Sequence, residues 1–269
     1  MNTRTLIKSL SATTDALLRP PAGVVVLIYH RVGGGSGSEV DLDPEVFDAH
    51  LDYLAAHHRV LTLDEAVDGL AASETANHVQ GVVLTFDDGT ADFADVVVPA
   101  LARHHLPATL YAATRFIDEG IPFPWGAPPI SWAALHDSCS TGLVTVGSHT
   151  HSHWLMDRLD PSVIDVDLDR SIDLIGEHLG NGPRHFAYPK ALPGSPTAEI
   201  AVRRRFASAA LAASRVNRPG HTDLHRLWRT PIQCSDTPEF FAAKARGGLR
   251  LEGELRALAA RVKSRGSSK

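Results

Sequence analysis

Two aspartates stand side by side at Asp87-Asp88, directly after the apolar run 82–86 and directly before Gly89. Adjacent carboxylates repel each other unless a cation or a proton sits between them. A bound metal resolves the conflict: one Asp ligates and the other stays free as a base. Taken alone, Asp-Asp-Gly also reads as a turn, because Asp and Gly are favoured there. Further along, His149, His151 and His153 occupy every second position. On a strand all three would share a face. On a helical turn His149 and His153, at i and i+4, would share one and His151 would point away. Either way His149 and His153 can reach one ion, and neutral imidazole is the commonest metal ligand.

Asp88, His149 and His153 together offer two imidazoles and a carboxylate. Such a set leaves coordination positions open for water and substrate, as catalytic rather than closed structural sites do. Hydrolytic zinc sites use it, and so do non-haem iron oxygenases. The extra carboxylate Asp87 favours hydrolysis, since a metal-activated water needs a nearby base. An amidohydrolase-type site would use His151 in place of His153, and separate replacement of each His discriminates the two.

These residues need elements to position them. Strand-like runs are read at Val24–Tyr29 and at residues 82–86, 108–113, 143–146, 186–188 and 207–212. Helical patterns lie at 4–18, 44–58, 91–105 (kinked at Pro99), 131–138, 161–179 and 196–206. Strands alternating with helices imply parallel β-α units, not the jelly roll usual for an iron oxygenase. Four of the strands end in polar clusters: His30, Asp87-Asp88-Gly89, Ser148–His153 and Pro189-Lys190. In a β/α barrel the site lies at the C-terminal ends of the strands, so four such clusters point to one shared site.

The segments T-F-D-D-G (85–89), S-H-T-H-S-H (148–153) and F-A-Y-P (186–189) resemble the polysaccharide deacetylases, carbohydrate esterase family four, with the NodB homology domain. The resemblance spans roughly residues 24–235. It implies an α/β fold, a distorted (β/α) barrel of the NodB type, and removal of acetyl groups from N-acetyl sugars or O-acetylated glycans. Carried over motif by motif, it makes Asp87 the general base and Asp88, His149 and His153 the ligands of one divalent ion. Zinc is the first expectation, with cobalt, nickel or manganese as alternatives. The Lys190 backbone N–H would help hold the tetrahedral oxyanion.

Three departures from the family pattern stand out. Many members carry an Arg two residues before the motif proline to orient the base; here that position is Ala187, and Arg184 or Arg229 could substitute. Lys190-Ala191 replaces the usual motif ending, and the Lys190 side chain could meet an anionic sugar or phosphate. The late L-x-L-H segment, whose His protonates the departing amine, is missing after residue 190. Instead V-V-V-L-I-Y-H (24–30) resembles relatives that begin with an L-x-Y-H strand in a circularly permuted barrel. First and last strands of a closed barrel are neighbours, so His30 is the expected general acid.

For substrate, Phe116, Phe123, Trp125, Trp132 and Trp154 are candidate platforms. Trp125, in the Pro- and Gly-rich stretch 115–130 read as a loop, is the leading contact, with Tyr188 and Arg229 as further substrate-binding candidates. The expected partner is an N-acetylated glycan or glycan precursor. The competing reading is a catalytically inactive carbohydrate-binding domain of the same fold; loss of Asp87 or of a ligand would favour it, and both are present.

The chain has 269 residues, 43% hydrophobic and 21% charged, ordinary for a folded protein. That length suits one barrel, with a short helix (1–22) before a domain at 23–248 and a helix with a basic tail (249–269) after it. The tail could touch a membrane surface. With 26 Lys and Arg against 31 Asp and Glu, the net charge is −5, so the basic footprint of a nucleic-acid binder is missing. No apolar run reaches the ~20 residues of a membrane span, and no signal peptide is evident, so a cytoplasmic location is expected. Cys139 and Cys234 cannot build a disulfide framework.

Overall fold

The computed structural model describes residues 8, 11, 20–72, 79–250, 252 and 253. The helix expected at 4–18 and the basic C-terminal tail lie outside these residues, apart from single positions. Among the described residues, seven parallel strands close a barrel: β1 (Val24–Tyr29), β4 (Gly81–Asp88), β5 (Ala108–Ala112), β6 (Val144–Ser148), β7 (His185–Ala187), β8 (Ser208–Ala212) and β9 (Leu227–Pro231). They stand around the barrel in chain order. The first closes on the last through Val26↔Arg229, Leu27↔Thr230 and Ile28↔Pro231. A two-stranded ribbon, β2 (Arg31–Val32) and β3 (Asp41–Leu42), sits beyond the end of β1.

Alternation along each strand splits the core into an inner and an outer layer. In β4, Val82, Leu84 and Phe86 pack outward with Phe47, Leu51 and Leu101 of the surrounding helices. Val83, Thr85 and Asp87 alternate with them and face the interior, where Val83 joins Val24, Val26, Tyr111 and Ala187. Parallel strands buried on both faces read as near-continuous apolar runs, which is why β1 and β4 were legible.

The helices are α1 (Pro44–His57), α2 (Leu63–Ala71), α3 (Val98–His104), α4 (Thr114–Glu119), α5 (Trp132–Ser140), α6 (Pro161–Leu179), α7 (Pro196–Arg205) and α8 (Pro238–Ala245). Several start on a side-chain cap followed by Pro: Asp43-Pro44, Asp160-Pro161, Ser195-Pro196 and Thr237-Pro238. Four of these elements correct the sequence reading. β9, α2 and α8 have no counterpart in it, and α4 occupies the start of the stretch read as a loop. The kink expected at Pro99 is instead a wide turn. Residues Phe93–Val97 form a π-helix whose last bond runs from Val98 N–H to Phe93 O, and α3 starts there with Pro99 in its first turn. Pro99 has no N–H to donate, so the register loosens just before it.

Candidate active site

Asp88 is the last residue of β4, and its φ of 78° turns the chain sharply into Gly89, at φ 98°. Aspartate tolerates this left-handed region better than most residues. The turn leaves Asp87 facing the barrel interior and Asp88 at its mouth. His149 follows β6, and the turn after it is strapped from both sides. His153 N–H donates to Thr150 Oγ1 at 2.9 Å, while His151 and Ser152 N–H donate to the Asp167 carboxylate of α6 at 3.1 and 2.9 Å. Asp167 braces the turn that carries His153, and the sequence reading missed it. Its signal was a carboxylate on the buried face of α6, between Ile164 and Leu168 and one turn before Ser171.

This turn brings His149 and His153 to Asp88. Asp88 Oδ1 lies 3.2 Å from His153 Nε2 and 3.7 Å from His149 Nε2. One ligand atom from each residue lies within 4.8 Å of the others. His149 Nδ1 is 2.7 Å from the Ala187 carbonyl. A carbonyl only accepts, so Nδ1 carries the proton and Nε2 keeps its lone pair. Burial lowers the His149 pKa to about 4, which keeps the ring neutral. Burial pushes Asp88 up, but the hydrogen bond from His153 and the neighbouring histidines outweigh it and hold the carboxyl at about 2. Two imidazoles and one ionised carboxylate, converging at this spacing, fit a divalent cation. His151 does not join them: its Nδ1 is 3.0 Å from Thr114 Oγ1.

Asp87 has a different partner. Arg229, on β9, donates from Nη1 to Oδ1 at 2.5 Å and from Nη2 to Oδ2 at 2.9 Å, a forked pair with both side chains buried. Burial raises the Asp87 pKa, but the Arg229 charge, then that of His149, bring it below the ordinary value. Arg229 is 0% exposed. Both of its terminal nitrogens go to the Asp87 carboxylate, the base-orienting arrangement for which Arg229 was one candidate. Arg184 precedes β7 at the opposite end of the barrel and pairs there with Asp64 and Asp68.

His30, at the end of β1, is half-buried, has no hydrogen-bond partner on Nδ1, and lies close enough to act electrostatically on both Asp87 and Asp88. Lys190 is exposed in a 3-10 turn at Pro189–Ala191, with φ 54°. Tyr188, a substrate-binding candidate from the sequence, is buried. It is 1% exposed, its ring meets Phe186 edge-on at 5.0 Å, and it packs with Met156 and Ala198 between the barrel wall and the outer helices. Residue 188 continues the outward register of Phe186, whereas Ala187 faces in.

Trp125 is 47% exposed and stacks on Phe123 at 5.0 Å, which in turn stacks on Phe116 at 4.3 Å. Both Trp125 and Phe116 stand edge-on to His153, at 6.2 and 6.3 Å. Trp154 is also exposed, directly after His153. Trp132 stacks on His178 at 4.4 Å, on the outer helices.

A closed parallel barrel with helices outside and this convergence at its strand ends defines a (β/α) barrel of the NodB type. The structure of IcaB from Ammonifex degensii superimposes with a TM-score of 0.73 and 28% identity, over 85% of this chain and 98% of that one. The Streptococcus pyogenes deacetylase PplD, solved with acetate, matches at a TM-score of 0.72 and 22% identity over 84% and 99%, a likeness of fold. The family model for polysaccharide deacetylase matches residues 75–205, so the chain carries a polysaccharide deacetylase domain. Among curated proteins, YxkH of Bacillus subtilis (strain 168), named for the same family, is 23% identical over 170 residues. That alignment covers 63% of this chain and 57% of YxkH, so the chain spans less than two thirds of that relative.

Proposed function

We propose that this protein is a metal-dependent deacetylase that hydrolyses the N-acetyl group of an amino sugar in a glycan or glycan precursor. The observation that carries the reading is the division of labour between adjacent carboxylates. Asp88 joins His149 and His153, while Arg229 grips Asp87 through both oxygens. Asp87 is thereby ionised, fixed and kept apart for proton transfer beside a metal-ligand set.

Asp88, His149 and His153 would hold the divalent ion, zinc first, which when bound supplies Lewis-acid polarisation of the acetyl carbonyl and a more acidic water. In this reading Asp87 accepts the proton of the attacking water. His30, at the end of the neighbouring strand β1, delivers a proton to the departing amine. In the same reading the Lys190 N–H helps hold the developing oxyanion. Trp125, with Trp154 beyond His153, offers flat apolar faces for pyranose rings.

The test is acetate release from N-acetylglucosamine oligomers and lipid-linked precursors, alongside zinc content, for the parent and Asp87→Ala. The expected result is one zinc per chain in both and release in the parent alone. Bound zinc with no release from any acetylated sugar would overturn the catalytic assignment in favour of a binding domain. No zinc after reconstitution would overturn the ligand set.

A further inference from the structure

Tyr111 lies on the interior face of β5, 0% exposed, and nothing in the proposed chemistry uses it. The Arg229 guanidinium carbon stands 5.0 Å from the centre of its ring. The sequence clears space for this ring. Gly147 is the register partner of Tyr111 on β6, and a Cβ there would fall 2.5 Å from Tyr111 Cδ1. Ala187 and Ala210, on the next two strands, share the same inner cluster. A glycine and two alanines thus make room for one large ring in the barrel interior.

The guanidinium needs that support. Its two terminal nitrogens are engaged by Asp87, and Nη1 also donates to Thr85 Oγ1 at 3.3 Å, while Thr85 donates to the Leu27 carbonyl at 2.7 Å. All of these contacts lie along the edge of the guanidinium plane, and Arg229 Nε has no partner. These contacts all come from the carboxylate and hydroxyl side, and the Tyr111 ring supplies a contact from another direction, with the guanidinium carbon over its face; burial strengthens the attraction between cation and ring. The Tyr111 hydroxyl has no hydrogen-bond partner, so the ring face, not the hydroxyl, makes the contact.

We infer that Tyr111 is a positioning residue: its ring holds the Arg229 guanidinium in place, and Arg229 holds Asp87 in line with the attacking water and off the metal ligands. The inference rests on the deacetylase reading for its kinetic consequence but not for its structural one. Tyr111→Leu keeps an apolar filler and removes the ring face; Tyr111→Phe keeps the face.

With the zinc-loaded enzyme and an N-acetylglucosamine oligomer, Tyr111→Leu is expected to lower kcat about tenfold or more while KM changes less than about twofold, and Tyr111→Phe to recover kcat to within about threefold of the parent. Zinc affinity is expected to hold in both. A second readout needs no substrate: NMR exchange of the Arg229 guanidinium N–H protons, assigned by their loss in Arg229→Lys. Exchange should be about tenfold faster in Tyr111→Leu than in the parent or Tyr111→Phe. If the parent releases no acetate and the exchange difference is present, the deacetylase reading fails and the tether stands. A folded Tyr111→Leu with parental exchange rates and kcat, or a Tyr111→Phe as impaired as Tyr111→Leu, overturns the inference.

Discussion

Two carboxylates end the same strand, and their partners set how each responds to substitution. Arg229 and Asp87 are both fully enclosed, so removing either leaves a buried charge alone. Arg229→Met should destabilise the fold by about 3–5 kcal/mol. The double change Arg229→Met with Asp87→Leu should recover a large part of that loss, because no charge is then stranded. Urea titrations of the three variants decide this; equal stability of the single and double variants would contradict it. The histidines divide in the same manner. His149→Ala should weaken zinc binding by at least about a hundredfold, because it removes a ligand. His151→Ala, whose ring faces Thr114, should change it little. Isothermal calorimetry separates them, and an equal loss in both would restore the alternating-His site.

At the level of elements, α1 and α8 meet through His50, buried and stacked on Phe241 with ring centres 3.6 Å apart. Burial lowers the His50 pKa to about 4, with Asp236 working against it and Lys244 with it. The folded state therefore resists a proton that the unfolded chain accepts near its ordinary pKa of about 6.5. This contribution to stability is intact above that value and is lost as pH falls from about 6.5 toward 4. His50→Leu should flatten the acid side of the stability profile by up to one proton, about 1.4 kcal/mol per pH unit. Thermal melts at pH 7, 6 and 5 read it, and an unchanged slope would count against the assignment. The same scale shows what the sequence made legible. The grouping of Asp88, His149 and His153 was legible because Asp88 follows the apolar run 82–86 and the two histidines stand four residues apart just after β6. β9 was hidden because Arg229, a core residue, interrupts Leu-Trp-Arg-Thr-Pro and mimics a surface segment. α2 carried an unread signal: Thr62 and Glu65 form a reciprocal capping box. The outward packing of Tyr188 was not legible, because a strand's alternation, not its motif, decides which way a ring faces.

Across the whole molecule, the segments flanking the barrel meet in one buried cluster of opposite charges. Lys8 Nζ lies 2.6 Å from Asp236 Oδ1, Lys244 Nζ lies 2.7 Å from Asp236 Oδ2, and Glu252 lies 4.0 Å from Lys8 and 3.7 Å from Lys244. Residue 8 is thereby tied to residue 236 and, through it, to α8 and residue 252. Lys8→Met should cost about 3 kcal/mol, since it leaves two carboxylates facing one ammonium. Asp236→Asn should cost a comparable amount, and denaturant midpoints below the parent's in both would bear this out.

The closure of β1 on β9 also has a consequence in time. The fork between Asp87 and Arg229 spans 142 residues of sequence. At roughly 5–20 residues per second of synthesis, about 7–28 s separate the appearance of the two partners on the ribosome. Asp88, His149 and His153 are all made before the residue that tethers Asp87. A nascent chain thus possesses all three residues of the Asp-His-His group while the barrel is still open, and the ladder that seals it waits on one of the last strands to emerge. Long-range pairing of this kind slows folding, so the Asp87–Arg229 fork and the finished fold arrive together, as a single late event.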